Sequence, residues 1–261
     1  MIDESPTRNG STPCVTVRDL TMAYGGFVLM RDMTFTINQG DVFVIMGASG
    51  SGKSTLLRHL IGLNQPAHGS IYYREENFTA GDPIQRERVL RNVGVLFQGG
   101  ALWSAMTLSE NIGLLLESYT DLKPAEIRQV AALKLALVGL KGFEDYYPSE
   151  ISGGMQKRAG LARAMALDPG ILFFDEPSAG LDPISARRLD ELILNLRESL
   201  GITVVMVSHD LASIFAVGTN SIYLDVPSRA ITASGPPKEL LARTQDPTLR
   251  SFLTRGGKPR L

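Results

Sequence analysis

The stretch Gly47-Ala48-Ser49-Gly50-Ser51-Gly52-Lys53-Ser54-Thr55 constrains this chain more than any other, because it lies between an apolar run, Val42-Phe43-Val44-Ile45-Met46, and a helix start at Leu56-Leu57-Arg58-His59-Leu60-Ile61. A buried strand, a glycine-rich loop and a helix start aim free backbone N–H groups and the positive end of the helix dipole at one spot, which makes an anion cradle. The pattern G-x-x-x-x-G-K-S is that of a phosphate-binding loop. In such a loop Lys53 reaches the outer phosphates of a nucleotide, and the Ser54 hydroxyl stands where a bridging magnesium ion is held. The alternative is a Gly/Ser-rich turn that holds nothing.

With 261 residues, 44% of them hydrophobic, the chain suffices for one large domain with room for an inserted subdomain. A formal charge of −1 gives no broad positive field, which argues against a nucleic-acid partner. Cys14 has no second cysteine to pair with, as expected in a reducing compartment. No apolar stretch nears the roughly 20 residues that cross a bilayer, and residues 1–13 lack a hydrophobic signal core. The expectation is a cytoplasmic protein that meets a membrane only through a partner.

In chain order, residues 1–13 read as a disordered leader. Short strands follow at Val15–Val17, Phe27–Leu29 and Met33–Ile37, the last alternating apolar with polar positions as a half-exposed antiparallel strand does. Val42–Met46 reads as a strand covered on both faces, as do Val93–Phe97, Ile171–Phe174 and Thr203–Val207, while His68–Tyr73 reads as an edge strand. From Thr107 to Ala166 the spacing is helical, with Pro124 suited to a helix N-terminus, and a further helix is expected from about Pro183 to Leu200. Strands alternating with helices imply a mainly parallel sheet, whose ligands sit at the carboxyl ends of the strands. Gln98, Asp175-Glu176 and Ser208-His209-Asp210 fall at such ends.

Asp175 and Glu176 therefore emerge where the phosphates of a nucleotide lie. An acid at this point holds magnesium in other phosphate-loop proteins, and its neighbour is placed to activate an attacking water. The alternative is a pair of solvated turn acids. With the stretch Ile151-Ser152-Gly153-Gly154-Met155, the chain resembles the ATP-binding cassette (ABC) ATPases, from about Val15 to Ile231 and with the motifs in the family's order. Gly47 to Thr55 matches the phosphate loop, Gln98 the Q-loop glutamine, Ile151–Met155 the signature, Asp175-Glu176 the acidic strand end, Ser178–Asp182 the D-loop and His209 the switch histidine. Tyr24 fits the aromatic that stacks on adenine, or else it caps a hairpin beside Gly25-Gly26.

The resemblance implies an α/β fold of the ABC type: a mainly parallel core sheet, an N-terminal antiparallel β-subdomain and an inserted helical subdomain. It implies a nucleotide-binding domain over 14–245, with the insertion at about 99–167, then a C-terminal helix and basic tail over 246–261. It also implies ATP and Mg2+ as ligands, with Ser54, Gln98 and Asp175 on the metal and Lys53, Glu176 and His209 in catalysis. Ser152, Gly153, Gly154, Met155 and Asp182 would act on the nucleotide of a second copy. Lys157, Arg158 and Arg163 either add positive charge to the signature helix or form a solvated face. Methionine at 155, where the family has glutamine, cannot supply the amide's hydrogen bonds. That residue, with Phe97–Leu102 and Asp246–Leu253, is similar to the ATPases of Mla-type lipid transporters. The implied partners are a second copy, a membrane permease, an MCE lipid-binding protein and a small STAS-domain protein; the implied place is the cytoplasmic face of the inner membrane. Leu102, Trp103 and Met106 either line a groove for a permease helix or pack the core of the insertion.

Overall fold

Alternate residues of the central strands point into two separate cores, and this makes one sheet the middle layer of the molecule. In the computed structural model, which describes residues 12–255, the chain runs β1 (Pro13–Tyr24), β2 (Phe27–Asn38), β3 (Val42–Gly47), α1 (Lys53–Leu60), β4 (His68–Tyr73), β5 (Glu76–Asn77), α2 (Pro83–Arg91), β6 (Val93–Leu96), α3 (Leu108–Tyr119) and α4 (Pro124–Leu137). A 3-10 turn at Pro148–Glu150 leads to α5 (Gly153–Ala164), β7 (Ile171–Asp175), α6 (Pro183–Leu200), β8 (Thr203–Val207), α7 (Leu211–Val217), β9 (Asn220–Asp225), β10 (Ala230–Ser234), α8 (Pro237–Arg243) and α9 (Pro247–Thr254). Six strands form the sheet β10-β9-β3-β8-β7-β6, parallel except at the β10 edge. Four others form the antiparallel sheet β2-β1-β4-β5.

Val42, Val44 and Met46 of β3 face one core together with Leu172 and Phe174 of β7, Val204 and Met206 of β8 and the inserted helices. Phe43 and Ile45 face the other, against α1 and the antiparallel sheet. Phe35 of β2 stacks on Phe43 with ring centroids 5.6 Å apart, which fastens one sheet to the other. A period of two with both faces covered leaves no polar position in β3, hence the unbroken apolar run.

Several expectations change: His68–Tyr73, expected at an edge, is β4 and lies between β1 and β5. Phe27–Leu29 and Met33–Ile37 are one strand, β2, and Val15–Val17 is the start of a longer β1. The positive φ at Asp19 and Asp32, near 50° in both, and the register shifts around Leu20 and Met22 interrupt alternation along this hairpin. Pro13, expected in a leader over 1–13, belongs to β1; residues 1–11 of that expected leader and the residues after Arg255 of the expected basic tail lie outside the described residues. No helix among the described residues is long and apolar enough to cross a membrane.

Candidate functional site

The loop after β3 needs its glycines. A Cβ on Gly47 would come within 2.8 Å of the Leu224 carbonyl, and Gly52, the N-cap of α1, has φ of 89°, a left-handed conformation that side chains disfavour. Lys53 folds back over the loop, its Nζ donating to the carbonyls of Gly47 and Ala48 at 2.9 Å each. Burial lowers its pKa, while Glu176 and Asp175 pull it back up. Ser51 is buried, and its Oγ is the one buried side-chain polar atom without a partner among the described residues. Leaving such a group unpaired costs roughly 1–3 kcal/mol, so this loop gains from a hydrogen-bonding ligand.

Three strand ends meet at this loop. Ser54 Oγ, in the first turn of α1, donates to Asp175 Oδ1 at the end of β7 over 2.7 Å. A hydroxyl and a carboxylate at this separation are hard oxygen donors of the kind Mg2+ takes, a cation that fills its shell with one or two carboxylates, phosphate oxygens and water. Glu176 follows Asp175 with φ of 50°, and its N–H donates to the Val207 carbonyl at 3.0 Å. A non-glycine residue in that region is strained by about 1–3 kcal/mol, and such strain gathers at functional sites. Here it turns the side chain to His209, whose Nδ1 lies 2.8 Å from Oε1. Since a carboxylate only accepts, Nδ1–H is the donor of this bond. The histidine side chain is 66% exposed and the glutamate 13%.

Gln98 lies two residues beyond β6, and its carbonyl accepts from the buried Nζ of Lys157. Tyr24 ends β1 opposite Phe27, 55% exposed, and its hydroxyl accepts from Asn64 Nδ2 at 3.2 Å. It does stand at the hairpin tip, with its ring accessible and its oxygen tied to the turn that follows α1.

Ser152 is the N-cap of α5, its Oγ accepting from the Met155 N–H at 3.3 Å. Gly154 lies against Ser185 of α6, and Asp182 caps α6 by accepting from the N–H groups of Ile184 and Ser185 at 3.0 Å. A hydrogen bond from the Ser185 side chain, with those from the N–H groups, holds the Asp182 carboxyl below its usual pKa. No hydrogen bond or ion pair among the described residues joins Ser152–Met155 or Asp182 to the phosphate loop, Asp175, Glu176 or His209. Met155 is half-buried and packs on the core shared with the inserted helices.

Sequence reasoning left two features open or unseen. The basic residues of α5 are not a solvated face: Lys157, Arg158 and Arg163 all donate to backbone carbonyls. Their partners lie far off in sequence, so no local pattern signals them. Trp103 is 61% exposed and lines a cavity of about 610 Å³ between α2, β6 and α3, whereas Leu102 packs on the core. Asn111, fully buried, fixes the tryptophan's loop by accepting from the Trp103 N–H at 2.7 Å and donating to the Trp103, Met106 and Thr107 carbonyls.

A family model described as "ABC transporter" matches residues 30–179. Among curated relatives, "Probable ribonucleotide transport ATP-binding protein mkl" of Mycobacterium tuberculosis is 40% identical over 239 residues, 92% of this chain and 66% of that protein. "Intermembrane phospholipid transport system ATP-binding protein MlaF" of Escherichia coli is 38% identical over 239 residues, 92% of this chain and 88% of its own. The chain thus spans about two thirds of the length of its mycobacterial relatives. Among solved structures, a dimeric post-hydrolysis state of the ATP-binding cassette MJ0796 bound to ADP and Pi matches with a TM-score of 0.76 and 30% identity, covering 85% of this chain and 98% of that one. The Clostridium perfringens cbiO1, part of the ABC transporter complex cbiONQ, gives 0.81 and 26%, covering 89% and 92%.

Proposed function

We propose, on the premise that this chain belongs to the ABC transporter family, that it is the ATP-hydrolysing subunit of a transporter. Two copies close head to tail around two Mg-ATP, and closure drives a separate membrane permease. The observation that carries the reading is the pair of contacts Ser54–Asp175 and Glu176–His209, 2.7 and 2.8 Å, at adjoining strand ends beside Lys53.

Each residue has a chemical task in this reading. Lys53 exchanges the Gly47 and Ala48 carbonyls for phosphate oxygens, and the loop N–H groups close on the same anion. Ser54 and Asp175 would hold the ion, with Gln98 as a further ligand. Magnesium, when bound, neutralises charge on the phosphates. Glu176 accepts a proton from water as the water oxygen bonds to the γ-phosphorus and the bond to the β–γ bridging oxygen breaks, giving ADP and phosphate. The Nδ1–H of His209 keeps that carboxylate pointed at the water. Tyr24 offers its exposed ring to adenine. Ser152, Gly153 and Gly154 form a second anion site at a helix N-terminus, and the lack of any hydrogen bond or ion pair joining it to the first among the described residues supports use on the partner's nucleotide, with Asp182 beside it.

The cargo we infer is phospholipid, supported by the 38% identity to a protein named for intermembrane phospholipid transport over 92% of this chain. A second reading, ribonucleotide, is favoured by the name of the mycobacterial relatives. The partners that follow from the lipid reading are a permease seated on the Trp103 groove, an MCE lipid-binding protein and a STAS-domain protein, with this subunit on the cytoplasmic face of the inner membrane. A detergent-solubilised pull-down analysed by mass spectrometry tests them together. Permease, accessory proteins and phospholipid are expected; a permease carrying nucleotides and no lipid overturns the cargo, and no integral membrane protein overturns the transporter role.

A further inference from the structure

Helix α5 is fastened along one side to the segment that carries Gln98. Lys157, 7% exposed, donates from Nζ to the Gln98 carbonyl, and Arg163 donates to the Ala101 carbonyl and, at 3.3 Å, to that of Gly100. Gly160, between them, lets the backbones touch: a Cβ there would stand 3.0 Å from the Gly100 oxygen and 2.9 Å from Leu96 Cδ1. Residues 157, 160 and 163 share one helical face, since positions three apart lie above one another. Arg158 leaves that face and donates to Val138 and Gly139 at the end of α4, at 2.9 and 3.2 Å.

The clamp joins two places with different tasks. The N-terminal turn of α5 is Ser152-Gly153-Gly154, and the segment it grips begins at Gln98. The Lys157 ammonium also lies in the field of Asp175 and Glu176: burial lowers its pKa, and those two carboxylates raise it. A buried ammonium with one carbonyl partner and an acidic pair nearby is costly to rearrange, because any movement that breaks the bond leaves the charge unpaired.

We propose that Lys157 is a positioning residue that locks the signature turn of α5 to the Gln98 segment, so that closure of this turn on the partner's nucleotide and alignment of Gln98 in this chain's own site occur as one movement. The inference rests on the dimeric ATPase reading above and deepens it. Lysine suits the role because its apolar stem crosses the interface between α5 and β6 while the head reaches a carbonyl.

The test uses the full chain with Lys157→Met, which keeps the stem and removes the charge, Lys157→Arg as the conservative replacement, and Arg158→Met as a loosening of α5 away from Gln98. A small misplacement of a ligating group is worth up to about a hundredfold in rate, so Lys157→Met is expected to lose about tenfold or more in kcat while its Kd for ATP stays within about threefold. Lys157→Arg should recover most of the rate. A kcat for Lys157→Met within about threefold of the wild type, or an equal loss in Arg158→Met, overturns the proposal. If Lys157→Met fails to fold, Gly160→Ala decides, because it pries the same surfaces apart with the ammonium kept: a kcat-selective loss supports the lock and an unchanged kcat refutes it. Absence of ATPase activity in the wild type sinks the parent reading instead.

Discussion

Asp190 of α6 is a buried carboxylate outside the proposed chemistry, and it gives the fold a pH dependence that can be worked out. Its Oδ2 accepts from Ser213 Oγ of α7 at 2.9 Å, and the same hydroxyl lies 3.4 Å from Asp210 Oδ2. One hydroxyl proton serves only one carboxylate at a time. Burial pushes the Asp190 pKa up from 3.8 to about 6; the Ser213 bond opposes this, and Asp210 and Glu191 add to it. A raised carboxyl pKa means that the folded chain holds the proton more tightly than the unfolded chain does. Between about pH 4 and pH 6 the native state therefore binds more protons, stability falls as pH rises through that window, and the penalty is complete above it. A shift of about two units corresponds to about 3 kcal/mol. Asp190→Asn removes the charge and can still accept from Ser213, so above about pH 7 the variant should be more stable by about 1–3 kcal/mol, the lower figure allowing for the stronger bond a carboxylate makes. Denaturant unfolding at about pH 7.5 and about pH 4 measures both ends, and the advantage should shrink toward zero at the lower value. A variant less stable than the wild type near pH 7.5, or one with the same advantage at both pH values, refutes the argument that the Asp190 charge is what the fold resists.

Glu176→Gln should bind ATP normally, persist as a closed dimer and turn over about a hundredfold or more slowly, as removal of a group acting in the transition state does; near-normal phosphate release removes Glu176 as the base. Lys53→Ala loses its hold on the outer phosphates, and tight ATP binding by equilibrium titration would falsify that role. Trp103→Ala, altering an exposed side chain, should melt within about 1 °C of the wild type and bind ATP, yet lose the permease in a pull-down; a large fall in melting temperature would mean that the ring is structural.

What the sequence disclosed and what it hid divide along a physical line. Val42–Met46 and the loop after it were readable because a strand buried on both faces must be apolar throughout and a loop that closes on an anion must have glycine where Gly47 and Gly52 stand. The β1–β2 hairpin was read in pieces because Asp19 and Asp32 adopt left-handed conformations that shift the alternation. α2 buries none of its residues, so it shows no helical period; its signals are the capping box of Asp82 and Gln85 and Pro83 at the first helical position. That Asp175, Glu176 and His209 lie at strand ends followed from the pattern of a parallel sheet, whereas the pairings Ser54–Asp175 and Glu176–His209 are seen only in the structure. The grip of Lys157 on Gln98 is likewise seen only there, because a backbone carbonyl 59 residues away leaves no trace in residue types.

Met155 follows from the same division. At the N-terminus of α5 the groups that would face an anion in the proposed reading are backbone N–H groups and the Ser152 hydroxyl, and neither depends on the fifth side chain of the signature. The methionine side chain packs on the core under the inserted helices, while its N–H remains in the cap with Ser152. A thioether here cannot make the hydrogen bonds of an amide, and it gains apolar contact with the core. In the proposed reading an anion at this turn would meet backbone groups, and the side of α5 that carries Lys157, Gly160 and Arg163 holds the helix to the Gln98 segment. A signature turn that lacks the glutamine's own contacts depends the more on that fixing.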